Sequence, residues 1–293
     1  MNMQPDVSII ILTYDTQKLT LSCLQSITKT TWGKVTKEII VVDNASNDTT
    51  VESIQRDYPH ITLVKNQKNL GFAAGNNVGI KKAKGKYILL LNSDTEVRSD
   101  SIPSMILFMK SHSKAGASGC RLDFPDGTMD PACHRGFPTP WAACTYFAGL
   151  EKLFPRTRIF GQYHMGYLDI TKPHQVDCIS GAFFLTRRDV IESVGMLDER
   201  FFMYGEDIDW AYRIKHNCWE VWFNPDVRII HYKKQSGRES NVKESKGVAE
   251  QHFLNTMKIF YQKHYEKKYS WLTTRLVYFG ISVKMGLLRV FGL

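Results

Sequence analysis

The sequence predicts an α/β fold, in which a mainly parallel sheet is flanked by helices and followed by a C-terminal helical tail. Short apolar runs alternate with stretches of helical spacing along roughly the first 120 residues, which is the pattern of βαβ units. Three of the apolar runs end in a polar cluster with an acid, at Asp15, Asp43 and Asp94. A chain of 293 residues is long enough for one large domain or two.

Four apolar runs in the N-terminal part are typical of buried strands. They cover residues 7–14, 38–42, 61–64 and 87–91. Helical spacing lies between them at residues 19–27 and 49–58, and the glycine-rich segment 69–79 opens a further helix. Its glycines lack the G-x-G-x-x-G and Walker spacings, so we expect Gly71 to permit a tight turn and not to cradle a phosphate.

The second part of the chain is less regular. A helix after Ser99 and a strand at 115–122 are followed by a loop-rich region, 123–175, which we expect to shape a substrate pocket. Regular structure returns with a strand at 176–186, a helix at 188–194, and two short strands at 219–225 and 227–232. We place the boundary between two functional halves near Arg121.

The acids at the strand ends predict a binding crevice. Parallel strands bring their carboxyl ends to one edge of the sheet, where ligands bind in open α/β folds. The Asn92-Ser-Asp94 cluster then suits a hard divalent cation shared with substrate phosphates, although a capped loop is the alternative. Asp43 suits ribose hydroxyls or a base N–H; an Asx turn with capping through Ser46 or Asn47 is its alternative.

A second acid cluster opens a predicted helix at Glu206, Asp207 and Asp209. Acids in a first turn are favoured by the helix dipole, so capping alone is one interpretation. Three acids after a glycine exceed what capping needs, and clustered carboxylates commonly position a catalytic base. His231 follows an apolar run, as a residue at the end of a strand would.

In this order the motifs resemble family 2 of the glycosyltransferases, the inverting GT-A type, and its bacterial rhamnosyltransferase-like branch. The resemblance covers about residues 7–235 and implies a GT-A fold with a Rossmann-like sheet. The matching pieces are Val7-Ser-Ile-Ile-Ile-Leu-Thr-Tyr14, Val41-Val-Asp-Asn-Ala-Ser-Asn-Asp48, Asn69-Leu-Gly-Phe-Ala-Ala-Gly-Asn76, Leu91-Asn-Ser-Asp94, Ser180-Gly-Ala182, Val194-Gly-Met-Leu-Asp-Glu-Arg-Phe-Phe-Met-Tyr-Gly-Glu-Asp-Ile-Asp209 and Asn224-Pro225 to His231.

The resemblance implies a role for each matching position. The nucleotide and donor residues would be Thr13, Tyr14, Asp15, Asp43, Asn44, Gly71, Asn76, Asn92, Ser93 and Asp94. Asp94 and His231 would hold Mg²⁺ or Mn²⁺, with Asn92 in place of the first acid of the family's D-x-D motif. Asp207 stands at the catalytic-base position beside Glu206. The donor and acceptor sugars would approach Arg135, Ser180, Gly181, Ala182 and Asp209.

The implied reaction is a single displacement. The metal would neutralise the leaving nucleoside diphosphate, and Asp207 would deprotonate an acceptor hydroxyl that attacks C1 of the sugar from the opposite face. Residues 1–121 form the donor half, 122–235 the acceptor and catalytic half, and 236–293 a basic helical tail. The branch suggests transfer of L-rhamnose from dTDP-rhamnose to a saccharide or polyprenyl-linked acceptor in cell-surface polysaccharide synthesis.

Charge is concentrated in the tail. Residues 233–293 contain twelve Lys or Arg and four Asp or Glu, a net +8 out of the total +9, which suggests an anionic membrane or nucleic acid as partner. The apolar segment 271–293 is broken by Arg275, Lys284 and Arg289, so it lacks the roughly 20 apolar residues of a span. We expect it to lie in the membrane interface; packing on the body or on a second subunit, as in a homodimer, is the alternative.

The remaining features of the sequence bear on the cellular compartment and on the class of protein. The polar N-terminus lacks a signal-peptide pattern, and six scattered cysteines suggest a reducing compartment, so we expect a cytoplasmic protein, peripheral on the inner face of the plasma membrane. No recognition motif supports nucleic-acid binding. A nucleotidyltransferase would need a Gly- and Arg-rich loop at residues 13–18, which is absent. A catalytically degenerate binding subunit of a polysaccharide-assembly complex stays open, because Asn92 departs from the acid pattern.

Overall fold

The computed structural model describes residues 4–233 and 243–291. Within these residues nine strands join in one sheet. The strands are β1 (Val7–Thr13), β2 (Lys37–Asp43), β3 (Thr62–Lys65), β4 (Tyr87–Asn92), β5 (Thr95–Val97), β6 (Ala115–Asp123), β7 (His174–Gln175), β8 (Phe183–Arg187) and β9 (Glu220–His231). Their order is β3-β2-β1-β4-β8-β6-β9-β5, and β7 also pairs with β9.

The sheet is mostly parallel, as the sequence predicts. Strands β1 to β4 pair in parallel, as do β6 and β9, whereas β8, β5 and β7 run antiparallel to their neighbours. In register, Thr13 lies opposite Asp43, and Leu12 lies opposite Asn92. The polar ends of β1, β2 and β4 therefore share one edge, which is the convergence expected from the sequence. Arg121, where the sequence placed a boundary between two halves, lies inside β6.

Helices cover both faces of the sheet. They are α1 (Gln17–Thr28), α2 (Thr50–Asp57), α3 (Gly71–Lys82), α4 (Ser101–Ser111), α5 (Pro140–Phe147), α6 (Leu150–Leu153), α7 (Arg188–Val194), α8 (Glu206–His216), α9 (Lys243–His264) and α10 (Trp271–Phe291). Ile9, Ile10 and Ile11 are consecutive and all fully buried. A strand buried on both faces reads as a continuous apolar run, which is why β1 was recognisable in the sequence.

Three predicted strands differ from the observed ones. Only Phe183–Arg187 is a strand in the segment predicted at 176–186, because the preceding residues pair with a loop through Cys178 and Arg135. The two short strands predicted at 219–225 and 227–232 are one strand, β9. Its register against β6 shifts between Cys120 and Arg121, and this bulge accommodates Pro225, which cannot donate to the ladder.

The first helix of the tail belongs to the body. In α9 the side chains of Leu254, Phe260 and Tyr261 are buried, and Lys263 pairs with Asp198 at 2.7 Å. Helix α10 packs on α9. The membrane and packing alternatives concern residues 271–293, and there the observed packing is the contact of α10 with α9. No helix in residues 4–233 or 243–291 has the length and apolarity needed to cross a membrane.

Candidate active site

A cavity of about 570 Å³ opens at the polar edge of the sheet. The end of β4, the loop before β8, the N-terminus of α8 and the end of β9 line it, and α5 and α9 form its far wall. The structure brings together nine of the residues predicted from the sequence. These lining residues are Asn92, Asp94, Arg135, Ser180, Gly181, Ala182, Glu206, Asp207 and His231.

Backbone hydrogen bonds fix these segments against one another. The Asn92 N–H donates to the Ala182 carbonyl at 3.1 Å, which joins the end of β4 to the loop before β8. The Gly181 N–H donates to Asp207 Oδ2 at 3.3 Å, which joins that loop to α8. The cavity is thus assembled by backbone N–H donors that bond to groups of segments distant in sequence.

An ion pair between Arg135 and Asp207 lies in the wall of the cavity. Arg135 Nη2 is 2.6 Å from Asp207 Oδ2, and their side chains are only 11% and 12% exposed. Arg135 Nε also donates to the Ala132 carbonyl at 2.8 Å, while Asp207 Oδ1 accepts from the Ile208 N–H at 2.8 Å. Charge-assisted bonds of this length restrict the carboxylate to one orientation.

Glu206, the neighbour of Asp207, is also buried, but it differs from Asp207 in its protonation. Its Oε2 is buried and has no hydrogen-bond partner in the part of the chain that the structure describes. Among the described residues, Asp43 Oδ1 is the one other buried side-chain atom of this kind. Burial and the adjacent charge of Asp207 raise the pKa of Glu206 to about 8. At neutral pH the start of α8 therefore carries a protonated Glu206 beside the Asp207–Arg135 ion pair.

Asp94 and His231 face each other at the polar end of the cavity. Asp94 Oδ1 lies 3.4 Å from His231 Nε2, and His231 Nδ1 lies 3.0 Å from Asp130 Oδ2. Although burial by itself would lower the pKa of His231, its hydrogen bonds to Asp130 and Asp94 raise it to about 9. The chain Asp130–His231–Asp94 thus orients the imidazole toward the cavity.

These donors fit a divalent cation that completes its coordination with phosphate oxygens. A carboxylate oxygen and the amide oxygen of Asn92 are acceptable ligands, and Mg²⁺ commonly takes one or two carboxylates plus substrate phosphates. His231 Nε2 can join them only as a neutral imidazole, so a bound cation would displace the proton that Asp94 and Asp130 stabilise on the ring. A carboxylate behind a ligating histidine, as Asp130 lies behind His231, is the usual supporting group. Among the described residues, no group of three or more His, Cys, Asp or Glu suits a metal on its own.

Asp130 was missed by the sequence analysis. It is fully buried, and it caps a short 3-10 turn by accepting from the Ala132 N–H at 2.9 Å. Lys233 Nζ lies 3.2 Å from Asp130 Oδ1, the same oxygen that accepts from Ala132. The only local signal was an Asp before a Pro, which indicates a turn and does not point to a histidine at position 231.

The predicted nucleotide residues form a second group at the ends of β1 and β2. Asp43 is buried, with Oδ2 accepting from the Ser46 N–H at 3.1 Å, while Oδ1 has no hydrogen-bond partner within the described part of the chain. The turn expected as the alternative is therefore present, yet it uses one carboxylate oxygen only. Asp15 accepts from the Asn47 N–H at 2.6 Å, and Tyr14 is exposed.

Hydroxyl groups connect this second group to the cavity. Thr13 Oγ1 lies 2.7 Å from Thr20 Oγ1 and 3.1 Å from Thr16 Oγ1, and Thr16 Oγ1 lies 3.3 Å from Ser93 Oγ. Thr13 is buried in this chain. Thr13 and Ser93 thus tie the end of β1 to the end of β4 and do not line the cavity.

Asn44, Gly71 and Asn76 hold the start of α3. The Asn44 side chain accepts from the Leu70 N–H at 3.1 Å and donates to the Gly71 carbonyl at 3.2 Å. Gly71 has φ +80°, and a Cβ there would meet the Phe202 carbonyl and ring. Asn76 donates to the Phe72 carbonyl at 2.9 Å. These residues lie beside the cavity, and Phe72 reaches into its lining.

Asp209 lies outside the cavity. It is fully buried and accepts from Arg213 at 2.8 Å, Lys263 at 2.6 Å and His264 at 2.7 Å. Two of these partners belong to α9, so Asp209 anchors the tail to α8.

The far wall of the cavity was not predicted as part of the site. Helix α5 contributes Tyr146 and Phe147, and α9 contributes Phe253, Met257 and Phe260. These aromatic and apolar residues line the same cavity as Asp94 and Asp207. The tail is thus a structural component of the cavity.

The sequence and structure are similar to proteins of known activity. A family model described as "Glycosyl transferase family 2" matches residues 8–195. An N-acetylglucosaminyl-diphospho-decaprenol L-rhamnosyltransferase of Mycobacterium tuberculosis is 27% identical over 213 residues, which are 69% of this chain and 68% of that protein. The O-antigen biosynthesis protein RfbC of Myxococcus xanthus is 27% identical over 244 residues, 82% of this chain but only 18% of that protein.

The fold is similar to that of a solved mannosyltransferase, PcManGT from Pyrobaculum calidifontis in complex with GDP-Man and Mn²⁺. The likeness has a TM-score of 0.61 at 16% sequence identity and covers 99% of this chain and 71% of that one. The GT-A type of α/β fold expected from the sequence is confirmed by it.

Proposed function

The chain belongs to glycosyl transferase family 2, and from this premise we propose that it is an inverting sugar transferase of cell-surface polysaccharide synthesis. Its donor is a nucleoside-diphosphate sugar, with dTDP-L-rhamnose as the first candidate, and its acceptor is a hydroxyl of a saccharide or polyprenyl-linked saccharide. The rhamnosyl activity named for the mycobacterial relative supports this candidate.

One observation carries the proposal: both predicted acid clusters line the same cavity. Asp94 and His231 are among its lining residues, and so are Asp207 and Glu206. A transfer between a charged leaving group and a neutral hydroxyl needs a cation-binding side and a base in one enclosure. Asp43, whose Oδ1 lacks a partner among the described residues, supports a nucleotide on the β1–β2 side, because a base or ribose donor would satisfy that oxygen.

The residues have distinct tasks in this mechanism. Asp94 and His231 would hold Mg²⁺ or Mn²⁺, which when bound supplies positive charge against the leaving diphosphate. Asp207 takes the proton of the acceptor hydroxyl, and Arg135 holds the Asp207 carboxylate in position through their 2.6 Å contact. Protonated Glu206 adds no second negative charge beside the base. The Gly181 N–H, 3.3 Å from Asp207, fixes the loop that faces the sugars.

The aromatic wall supports an amphiphilic acceptor. Tyr146 and Phe147 of α5 and Phe253, Met257 and Phe260 of α9 offer apolar area next to the base. Aromatic faces suit sugar rings and hydrocarbon alike, so a polyprenyl-linked saccharide would present its hydroxyl to Asp207. We propose that such an acceptor places the enzyme in the cytoplasm, at the inner face of the plasma membrane.

The proposal is tested by donor screening followed by transfer. The purified protein is heated with dTDP-, UDP- and GDP-sugars, each with Mn²⁺ or Mg²⁺, because a ligand that binds only the folded state raises Tm. The stabilising donor is then assayed for transfer to a polyprenyl-diphosphate-linked saccharide, with D207N as the matched inactive control. Stabilisation by dTDP-rhamnose and turnover that D207N lacks are the expected results.

A second candidate function is a degenerate binding subunit, which Asn92 favours because it replaces a carboxylate at the cation side. It predicts donor-dependent stabilisation without transfer or donor hydrolysis in Mn²⁺. No stabilisation by any nucleotide sugar contradicts both candidates.

A further inference from the structure

Helix α10 exposes a continuous row of large apolar side chains, which we call the α10 stripe. Consecutive members are three or four residues apart, so they lie on one face of the helix. The stripe consists of Leu272, Leu276, Phe279, Val283 and Leu287, which are 60%, 63%, 69%, 43% and 48% exposed. Exposed apolar residues are ordinary when scattered, but a contiguous row marks an interaction surface.

The opposite face of α10 is fixed to the body, so the stripe has a defined direction. Ile281 is buried, Tyr261 of α9 lies 3.0 Å from Thr274, and Lys284 Nζ lies 3.3 Å from Glu250 of α9. Since these residues hold the inner face against α9, the stripe points away from the protein.

Charge decides which partner fits the stripe. Residues 243–291 contain nine Lys or Arg and three Asp or Glu, a net +6, and two of these basic residues are already paired with acids, Lys263 with Asp198 and Asp209 and Lys284 with Glu250. A second copy of the chain would bring an equally positive tail to the stripe, and like charges disfavour such a contact. An anionic bilayer surface attracts the tail instead, with a favourable contribution from each basic residue near the lipid headgroups.

Two side chains beside the stripe, Trp271 and Arg275, are of the types found in helices that lie at a membrane surface. Trp271 is 67% exposed at the start of α10, and the Arg275 guanidinium lies 4.4 Å from the centre of its ring. Trp and Arg are amphipathic side chains that place apolar atoms in lipid and polar atoms at the headgroups. The 21 residues of α10 are long enough for a helix lying flat in the headgroup region.

We propose that α10 docks the protein on an anionic phospholipid bilayer, with its axis parallel to the surface and the stripe inserted below the headgroups. In this orientation only the thickness of α10 separates Phe147 of the cavity wall from the bilayer, because Lys284, on the inner face of α10, lies 4.3 Å from the centre of the Phe147 ring. The docking requires no donor or acceptor, so it stands or falls independently of the proposed reaction.

Vesicle co-sedimentation of the full chain tests the docking. Vesicles of phosphatidylcholine are compared with vesicles that also contain phosphatidylglycerol, for the wild type and for L276E and F279E. L107E is the matched control, since Leu107 is a 60% exposed leucine on the distant helix α4. Each stripe variant should weaken partition to anionic vesicles by about tenfold or more, because a buried apolar side chain is lost and a charge is added. L107E should bind as the wild type does.

Circular dichroism and thermal denaturation establish that the variants are folded. Equal pelleting of L276E, F279E and the wild type overturns the proposal, as does equal binding of the wild type to neutral vesicles. Light scattering gives the oligomeric state. If the wild type is a dimer that does not bind vesicles and the stripe variants are monomers, a second copy of the chain covers the stripe. The proposal is then wrong.

Discussion

Arg135 Nη2 lies 2.6 Å from Asp207 Oδ2, in an ion pair that joins the loop-rich region to the first turn of α8. Both side chains are largely shielded from solvent, so the pair is a fixed element of the cavity wall. The contact makes Arg135 a positioning residue for the proposed base. Asp207 therefore has two roles, as the proposed proton acceptor and as the partner of Arg135. Substitutions at the two positions can distinguish them.

The first prediction concerns Asp207 as base. D207N keeps the size of the side chain and its Oδ1 acceptor but removes the basic carboxylate. We expect kcat to fall by about 10²–10⁴-fold, the usual contribution of general base catalysis, while the donor binds with unchanged Kd. Transfer assays and donor calorimetry measure the two quantities. A loss of donor binding equal to the loss of kcat contradicts the assigned role.

The second prediction concerns the ion pair as a unit. R135M leaves Asp207 buried without its partner, and breaking a buried pair in this way typically costs about 3–5 kcal/mol of stability. In R135M/D207N the lone charge is gone, so we expect the double variant to be more stable than R135M. Urea unfolding of the wild type, both single variants and the double variant gives the coupling energy. Additive effects would show that the two side chains do not interact.

Much of this site was predictable because it sits at the ends of regular elements. Asp94 follows an apolar strand, His231 ends another, and Asp207 opens an amphipathic helix. Each position is determined by local periodicity, which a single sequence displays. The mostly parallel sheet then brings these ends to one edge.

The other features of the fold and the site depend on long-range contacts, which give no local signal in the sequence. Asp130 is a lone acid in a loop, and its contact with His231 is made only by the fold. Pro225 suggested a break between two strands, whereas β9 continues through Pro225 in a bulge of its own opposite β6. The basic tail suggested a surface segment, yet Asp198 and the buried Asp209 pair with Lys263 and draw α9 onto the body.

The third prediction uses the pKa of Glu206, which is about 8 instead of 4.5 because burial and the charge of Asp207 disfavour ionisation. Between these two values the folded protein binds more protons than the unfolded chain, so stability falls as pH rises. E206Q carries no such proton. We expect E206Q to gain stability relative to the wild type as the pH rises from 5 to 8, by roughly 1 kcal/mol for each pH unit.

Urea unfolding at several pH values measures this gain. E52Q, at an exposed position of α2, controls for the loss of one carboxyl group. Parallel stability curves for the wild type and E206Q would mean that Glu206 ionises in the folded protein as it does in the unfolded chain.

The fourth prediction separates two effects at Gly71. Gly71 and Gly127 both have positive φ, +80° and +83°, but a Cβ meets the Phe202 carbonyl at Gly71 and nothing within 4 Å at Gly127. G127A should cost about 1–2 kcal/mol for the left-handed backbone alone. G71A should cost more, because the loop around Phe202 must shift. Equal losses in urea unfolding would show that the loop yields without strain.

The fifth prediction concerns the cation side of the cavity. Asp94 is the only carboxylate of the Asn92-Ser-Asp94 cluster, so we expect D94A to remove the dependence of donor binding on Mn²⁺. Calorimetry of the donor with and without Mn²⁺ measures it. N92A removes only a neutral oxygen and should weaken the dependence less. Since few protein ligands are present, the wild type should bind Mn²⁺ weakly until the donor diphosphate adds its oxygens. Mn²⁺-dependent donor binding that survives in D94A would place the cation elsewhere.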